Sequence, residues 1–132
     1  MENKDIRWRQ RFDNFESAYE LLAKYIDIAD PEELERAGII QFFEMAFELA
    51  WKVMKDYLET EGFQVKSPKE AIKQAFQSGL VENGQVWIDA LEDRNRTVHT
   101  YEEKTAIEIA ERIKTIFFPA LNQFYIKIKE KY

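Results

Sequence analysis

Apolar residues recur along this chain at helical spacing, and the recurrence falls into five segments. From about Asp5 to Ile28, Ile6, Phe12, Phe15, Tyr19, Leu22 and Ile26 mark the stripe of an amphipathic helix, widened by Trp8 and Tyr25. Asp30-Pro31-Glu32-Glu33 reads as the next start: Asp30 caps, proline takes the first helical position and Glu33 closes a capping box. Gly38 is expected to interrupt the first turns. From Ile39 to Thr60 a strong helix follows, with Ile40, Phe43, Phe47, Ala50, Met54, Tyr57 and Leu58 on one stripe. Phe42, Met45, Leu49, Trp51 and Val53 make it apolar on more than one side, as in a helix central to a bundle or shared with a partner.

Gly62 stops that helix, and Ser67-Pro68-Lys69-Glu70 repeats the start signal. A short helix from Lys69 to Ser78 ends at Gly79, with Leu80 and Val81 as an apolar plug and Asn83-Gly84 as a turn or cap pair. The fourth helix is predicted from Gln85 to His99. Trp87, Ala90, Leu91, Arg94 and Val98 form one stripe of it, and Ile88, Glu92, Asn95 and His99 its neighbour. Thr100-Tyr101-Glu102-Glu103 reads as a capping box, so the last helix should run from Thr100 to about Lys129, kinked at Pro119. Its inward residues are Ala106, Ile109, Ala110, Ile113, Ile116, Phe117, Ala120, Leu121, Phe124 and Ile128. The fold class is all-α: an up-and-down four-helix bundle with an additional short helix, in one domain over residues 1–132.

Composition narrows the function. Four glycines and three prolines disfavour a many-turned β design. No cysteine means no disulfide and no thiolate metal site, and fits a cytoplasmic location. No apolar run reaches the roughly 18 residues that span a bilayer, and the charged start is not signal-like, so no membrane is expected. A net charge of −6 opposes general nucleic-acid binding, so DNA is not expected and any RNA or nucleotide contact must be local. Lys4, Arg7, Arg9 and Arg11 read as a solvated basic face, and Glu44 with Glu48 as solvated or salt-bridged surface. The surplus of large apolar residues on the second and last helices suggests an interface between copies.

Chemistry concentrates in Arg94-Asn95-Arg96-Thr97-Val98-His99-Thr100-Tyr101, which holds the only histidine. On a continuous helix Asn95 lies one turn below His99, and Arg94 about 140° round from it, within reach of a long side chain. Histidine moves protons near neutrality, and the arginine fork matches phosphate oxygens. Together they suit phosphodiester cleavage through a ribose hydroxyl, with Asn95 orienting the imidazole and no metal or other cofactor implied. One histidine is half of an acid–base pair, and a symmetric homodimer would supply the other half. The competing reading is structural: His99 neutralises a helix dipole, and Arg94 pairs with a glutamate.

Arg94-x4-His99-x-Tyr101 resembles the motif of the HEPN superfamily. Gly38–Lys52, Ser67–Ala71, Gly79-Leu80 and Trp87 resemble its branch of nucleotidyltransferase substrate-binding proteins. The resemblance covers about Asp5 to Phe124. It implies a dimeric helical bundle with both motifs facing a shared cleft, and a minimal nucleotidyltransferase as partner. It also implies a toxin–antitoxin pair in which this chain is the metal-independent RNase. Arg94 and His99 would then be catalytic, and Tyr101 would accept AMP units that silence the toxin. Two alternatives stay open: a non-catalytic nucleotide- or substrate-binding subunit of that complex, or a structural dimeric adaptor.

Overall fold

The computed structural model describes residues 3–132, and every regular element in them is helical. They are α1 (Asn3–Tyr25), α2 (Glu33–Thr60), α3 (Pro68–Gln77), α4 (Gly84–Asn95), α5 (Glu103–Arg112) and α6 (Phe118–Lys129). A 3-10 turn, Thr97–His99, follows α4, and a π turn, Ile113–Phe117, joins α5 to α6 without a break. The all-α expectation therefore holds.

Most boundaries come from local chemistry. Ser67 caps α3 by accepting from the Glu70 N–H at 3.1 Å, with Pro68 at the first position. At the ends of α2 and α3 the same device appears twice. Phe63 N–H reaches Leu58 O and Gly62 N–H reaches Glu59 O; Leu80 N–H reaches Ala75 O and Gly79 N–H reaches Phe76 O. Each needs a left-handed residue, which Gly62 (φ 93°) and Gly79 (φ 81°) supply. Leu80 and Val81 are buried, as a plug should be. The start of α2 differs from expectation. Glu32, not Asp30, stands at its cap, and the Glu32 N–H donates to Glu35 at 2.9 Å. Asp30 takes a left-handed conformation (φ 50°) in the turn before it. Gly38 interrupts nothing and lies inside α2.

Packing follows an up-and-down course. Phe12 and Tyr19 of α1 stack on Tyr125 and Phe118 of α6, so those helices run antiparallel. Phe43 and Phe47 of α2 meet Phe117 and Trp87, and Trp87 meets Phe124. α4 crosses α2 steeply, because Trp87 and Arg94 reach the adjacent residues Phe47 and Glu48. Ile6 is exposed and Trp8 is buried, so the inner stripe of α1 begins at Trp8. In the last helix Ile109, Ile113, Phe117 and Leu121 are buried at steps of four. On a regular helix that spacing drifts about 40° per step. The wider π turn absorbs the drift, and it leaves Ile116 exposed, contrary to its expected inward position. Pro119 follows directly on the π turn, so the N–H it lacks falls where the bonding pattern of the continuous helix already changes. The expected break is thus a change of winding one turn earlier.

Three arginines of α1 are paired across and along the helices: Arg7 with Glu59, Arg9 with Asp5, and Arg11 with Asp56 at 3.5 Å. Asp56 is 4% exposed and its Oδ2 has no hydrogen-bond partner among the described residues. Burial raises its carboxyl above the ordinary range, against the weaker pull of Arg11 and Lys55. A raised folded-state value means that the folded chain binds the proton more readily than the unfolded one. The charged form therefore opposes folding near neutrality, and that penalty vanishes as pH falls below the unfolded value. Asp56→Asn is expected to melt above wild type near pH 7 and level with it at about pH 3. Thermal melts at the two pH values check this; a variant melting lower near neutrality would show that the Arg11 contact outweighs desolvation.

Candidate active site

α4 ends earlier than its apolar stripe suggests. Its capping residue is Arg96, whose N–H bonds Asp93 O at 2.9 Å. Thr97 Oγ1 donates to Arg94 O at 2.7 Å and Thr100 Oγ1 to Thr97 O at 2.9 Å. Threonine hydroxyls that bond nearby carbonyls offer the chain an alternative to helix, and here they close a tight turn. His99 therefore lies beyond the helix, where the α4 dipole has little hold on it. Thr100 is not the cap of α5; that position is Glu102, whose N–H bonds His99 O at 3.0 Å. The outward swing of the chain exposes Val98 (72%) and Tyr101 (80%).

The four residues singled out in the sequence fall into two pairs. Arg94 Nη2 donates to Glu48 Oε2 at 3.0 Å, and its Nη1 is 3.4 Å from Asn95 Oδ1. The Arg94 Nε is buried without a partner among the described residues. The His99 and Tyr101 rings lie 6.2 Å apart, inclined at 59°. Asn95 is not stacked beneath His99, because the helix stops between them. No hydrogen bond joins His99 to Arg94 or Asn95 among the described residues.

Two carboxylates support these residues. Glu48, read as paired or solvated surface, is indeed paired, and its partners are Arg94, Lys52 at 3.4 Å and Trp51 Nε1 at 3.1 Å. Asp93 is 6% exposed, and the inner face of α4 is Trp87, Ala90 and Asp93, with Thr97 buried beyond them. Its carboxylate accepts from Arg96 at 3.1 Å and from Nε and Nη2 of Arg112, the latter at 3.1 Å. The hydrogen bond to Asp93 lifts the Arg112 guanidinium above its ordinary range. The clamp ties the turn carrying His99 to α5. The α4–α5 junction thus carries two separate pairs, the Arg94 guanidinium with Asn95 and the His99 imidazole with the Tyr101 phenol. A guanidinium is a group that can bind phosphate oxygens, and an imidazole one that can move a proton.

The family described as nucleotidyltransferase substrate binding protein like matches residues 10–130, which include every residue of this junction. The chain belongs to that family. A Haemophilus influenzae relative named "Probable ribonuclease HepT" is 32% identical over 82 residues, or 58% of this chain. The chain spans about half (56%) of that relative's length. A solved chain of Thermus thermophilus superposes with a TM-score of 0.76 at 33% identity, over 89% of this chain and 97% of that one. A Haemophilus influenzae structure is described as revealing the fold of a substrate binding domain of a nucleotidyltransferase. It superposes with a TM-score of 0.69 at 23% identity, over 96% and 99% of the two chains, a likeness of fold. Membership agrees with the HEPN-type, HepT-like reading of the Arg94–Tyr101 stretch and the α2 block. Among the described residues no helix is long and apolar enough to cross a membrane.

Proposed function

We propose that this chain is the HEPN-type partner of a minimal nucleotidyltransferase and an RNase toxin in the cytoplasm, silenced by AMP addition at Tyr101. The observation that carries it is the exposed His99–Tyr101 pair at the end of the helix that holds Arg94. His99 takes the proton of a ribose 2′-hydroxyl or returns one to the leaving oxygen, and Arg94 steadies charge on the phosphate. A homodimer supplies the second histidine, so that one acts as base and the other as acid. A phenol beside the imidazole is a natural point of control, since phosphates added there bring negative charge into a site for RNA phosphate.

The purified chain is expected to cut single-stranded RNA in the presence of a metal chelator and leave 2′,3′-cyclic ends. Incubation with its nucleotidyltransferase and ATP should add AMP mass to the Tyr101 peptide and stop cleavage, and Tyr101→Phe should resist both. A wild-type dimer that cuts no RNA and is harmless without its partner would refute the toxin reading. One observation favours a second reading, a non-catalytic substrate-binding subunit: Glu48 already neutralises Arg94. Nucleotide binding only in the two-protein complex, without cleavage, would decide for it.

A further inference from the structure

The α1–α2 connection folds against α5 and forms a cavity of about 200 Å³ that the candidate active site does not use. Its floor is apolar. Ile26 and Ile39 are each 4% exposed, and Ile107 and Ala110 form the α5 side. Four charged side chains stand round it: Asp30 and Arg36 on one wall, Glu111 and Lys114 on the other. None of the four is in an ion pair among the described residues; Arg36 is half-buried, and Asp30, Glu111 and Lys114 are exposed. Arg36 makes one polar contact, from Nη2 to Pro31 O at 3.3 Å, which leaves most of its five donors free. Asp30 is left-handed (φ 50°), as aspartate in a turn can be.

Two cations and two carboxylates, left unpaired round an apolar floor, match one small molecule that carries both charges. A cavity of about 150 Å³ holds benzene, so this one admits a body of roughly ten heavy atoms and is too small for a nucleotide. We propose that it binds a free α-amino acid with an aliphatic side chain. The carboxylate lies between Arg36 and Lys114, the ammonium between Asp30 and Glu111, and the side chain on Ile26, Ile39 and Ile107. A molecule of single charge leaves one pair of protein charges uncompensated. This site is independent of the RNase reading.

The test is amide NMR titration of the full chain with valine, leucine, isoleucine and methionine, each to about 10 mM. Leucine's two half-molecules, 4-methylpentanoate and 3-methylbutylamine, serve as controls. At least one amino acid should shift α5 and the α1–α2 connection saturably, with both half-molecules about tenfold weaker or more. Arg36→Met and Glu111→Gln should each weaken binding about tenfold, and Ala110→Leu should abolish it by filling the cavity. His99→Ala should bind as wild type does. The proposal is overturned if no amino acid of the set shifts these amides, if a half-molecule binds as well, or if Arg36→Met keeps full affinity.

Discussion

His99→Ala is expected to slow RNA cleavage by at least about 100-fold while leaving the melting temperature of wild type unchanged. The two halves of that statement rest on different facts. The imidazole is exposed and has no hydrogen bond among the described residues, so its removal costs the fold little, within about 0.5 kcal/mol. Yet it is the only histidine in the chain, and no neighbour can replace its proton transfer near neutrality. Arg94→Ala should fall as far in rate, about 100-fold or more, for a different reason: it removes charge from the phosphate in the transition state. Arg94→Lys should not rescue it, because an ammonium cannot hold Glu48 and a phosphate oxygen in one planar fork. Rates on a defined RNA, set beside thermal melts of each variant, check both halves. A His99→Ala chain that cleaves normally removes the imidazole from the mechanism altogether.

The bundle was legible because its signals are redundant. Burial of Phe15, Phe43, Phe47, Phe117 and Phe124 follows from periodic spacing over long segments, and Ser67-Pro68 with Gly79 fixes α3 from both sides. Errors gathered where one strong pattern masked a weaker one. Val98 continues the apolar stripe of α4 by spacing, but Thr97 and Thr100 close the turn through their hydroxyls, and Val98 ends exposed. The signal was present in Thr97-Val98-His99-Thr100, two hydroxyls three residues apart. Likewise the steps of four from Ile109 to Leu121 announce an overwide turn, a weaker pattern than the helix-breaking signal of Pro119 close by. Asp93 was out of reach for another reason. Its position is inward by spacing, yet nothing in one sequence says that Arg112, nineteen residues on, will come to meet it. Long-range pairing of polar groups is a property of the packed fold. For the same reason Arg94 and Glu48, 46 residues apart, became partners only in three dimensions.

Asp93→Ala is expected to be the most damaging substitution in the candidate site for stability, at about 2–3 kcal/mol. Removing one member of a buried ion pair typically costs about 3–5 kcal/mol, because the other is left uncompensated. Here Asp93 is nearly enclosed, with 8% of its side chain exposed, but Arg112 keeps 33% and can turn to solvent. Screening by water at that end reduces the expected loss. Arg96→Ala should cost under about 1 kcal/mol, since its side chain is 46% exposed and Arg112 remains on Asp93. At a few degrees per kcal/mol for a chain of this size, Asp93→Ala should melt roughly 10 °C below wild type. The clamp also predicts where the loosening appears. Asp93 binds α5 through Arg112 and the turn through Arg96, so amide exchange should quicken at Thr97–Thr100 before it quickens in α2. Cleavage should then fall although Arg94 and His99 are both present, because the turn that fixes His99 relative to Arg94 has lost its anchor. Equal melting of Asp93→Ala and wild type, or faster exchange spread evenly through the bundle, would show that the turn holds itself by its threonine hydroxyls alone.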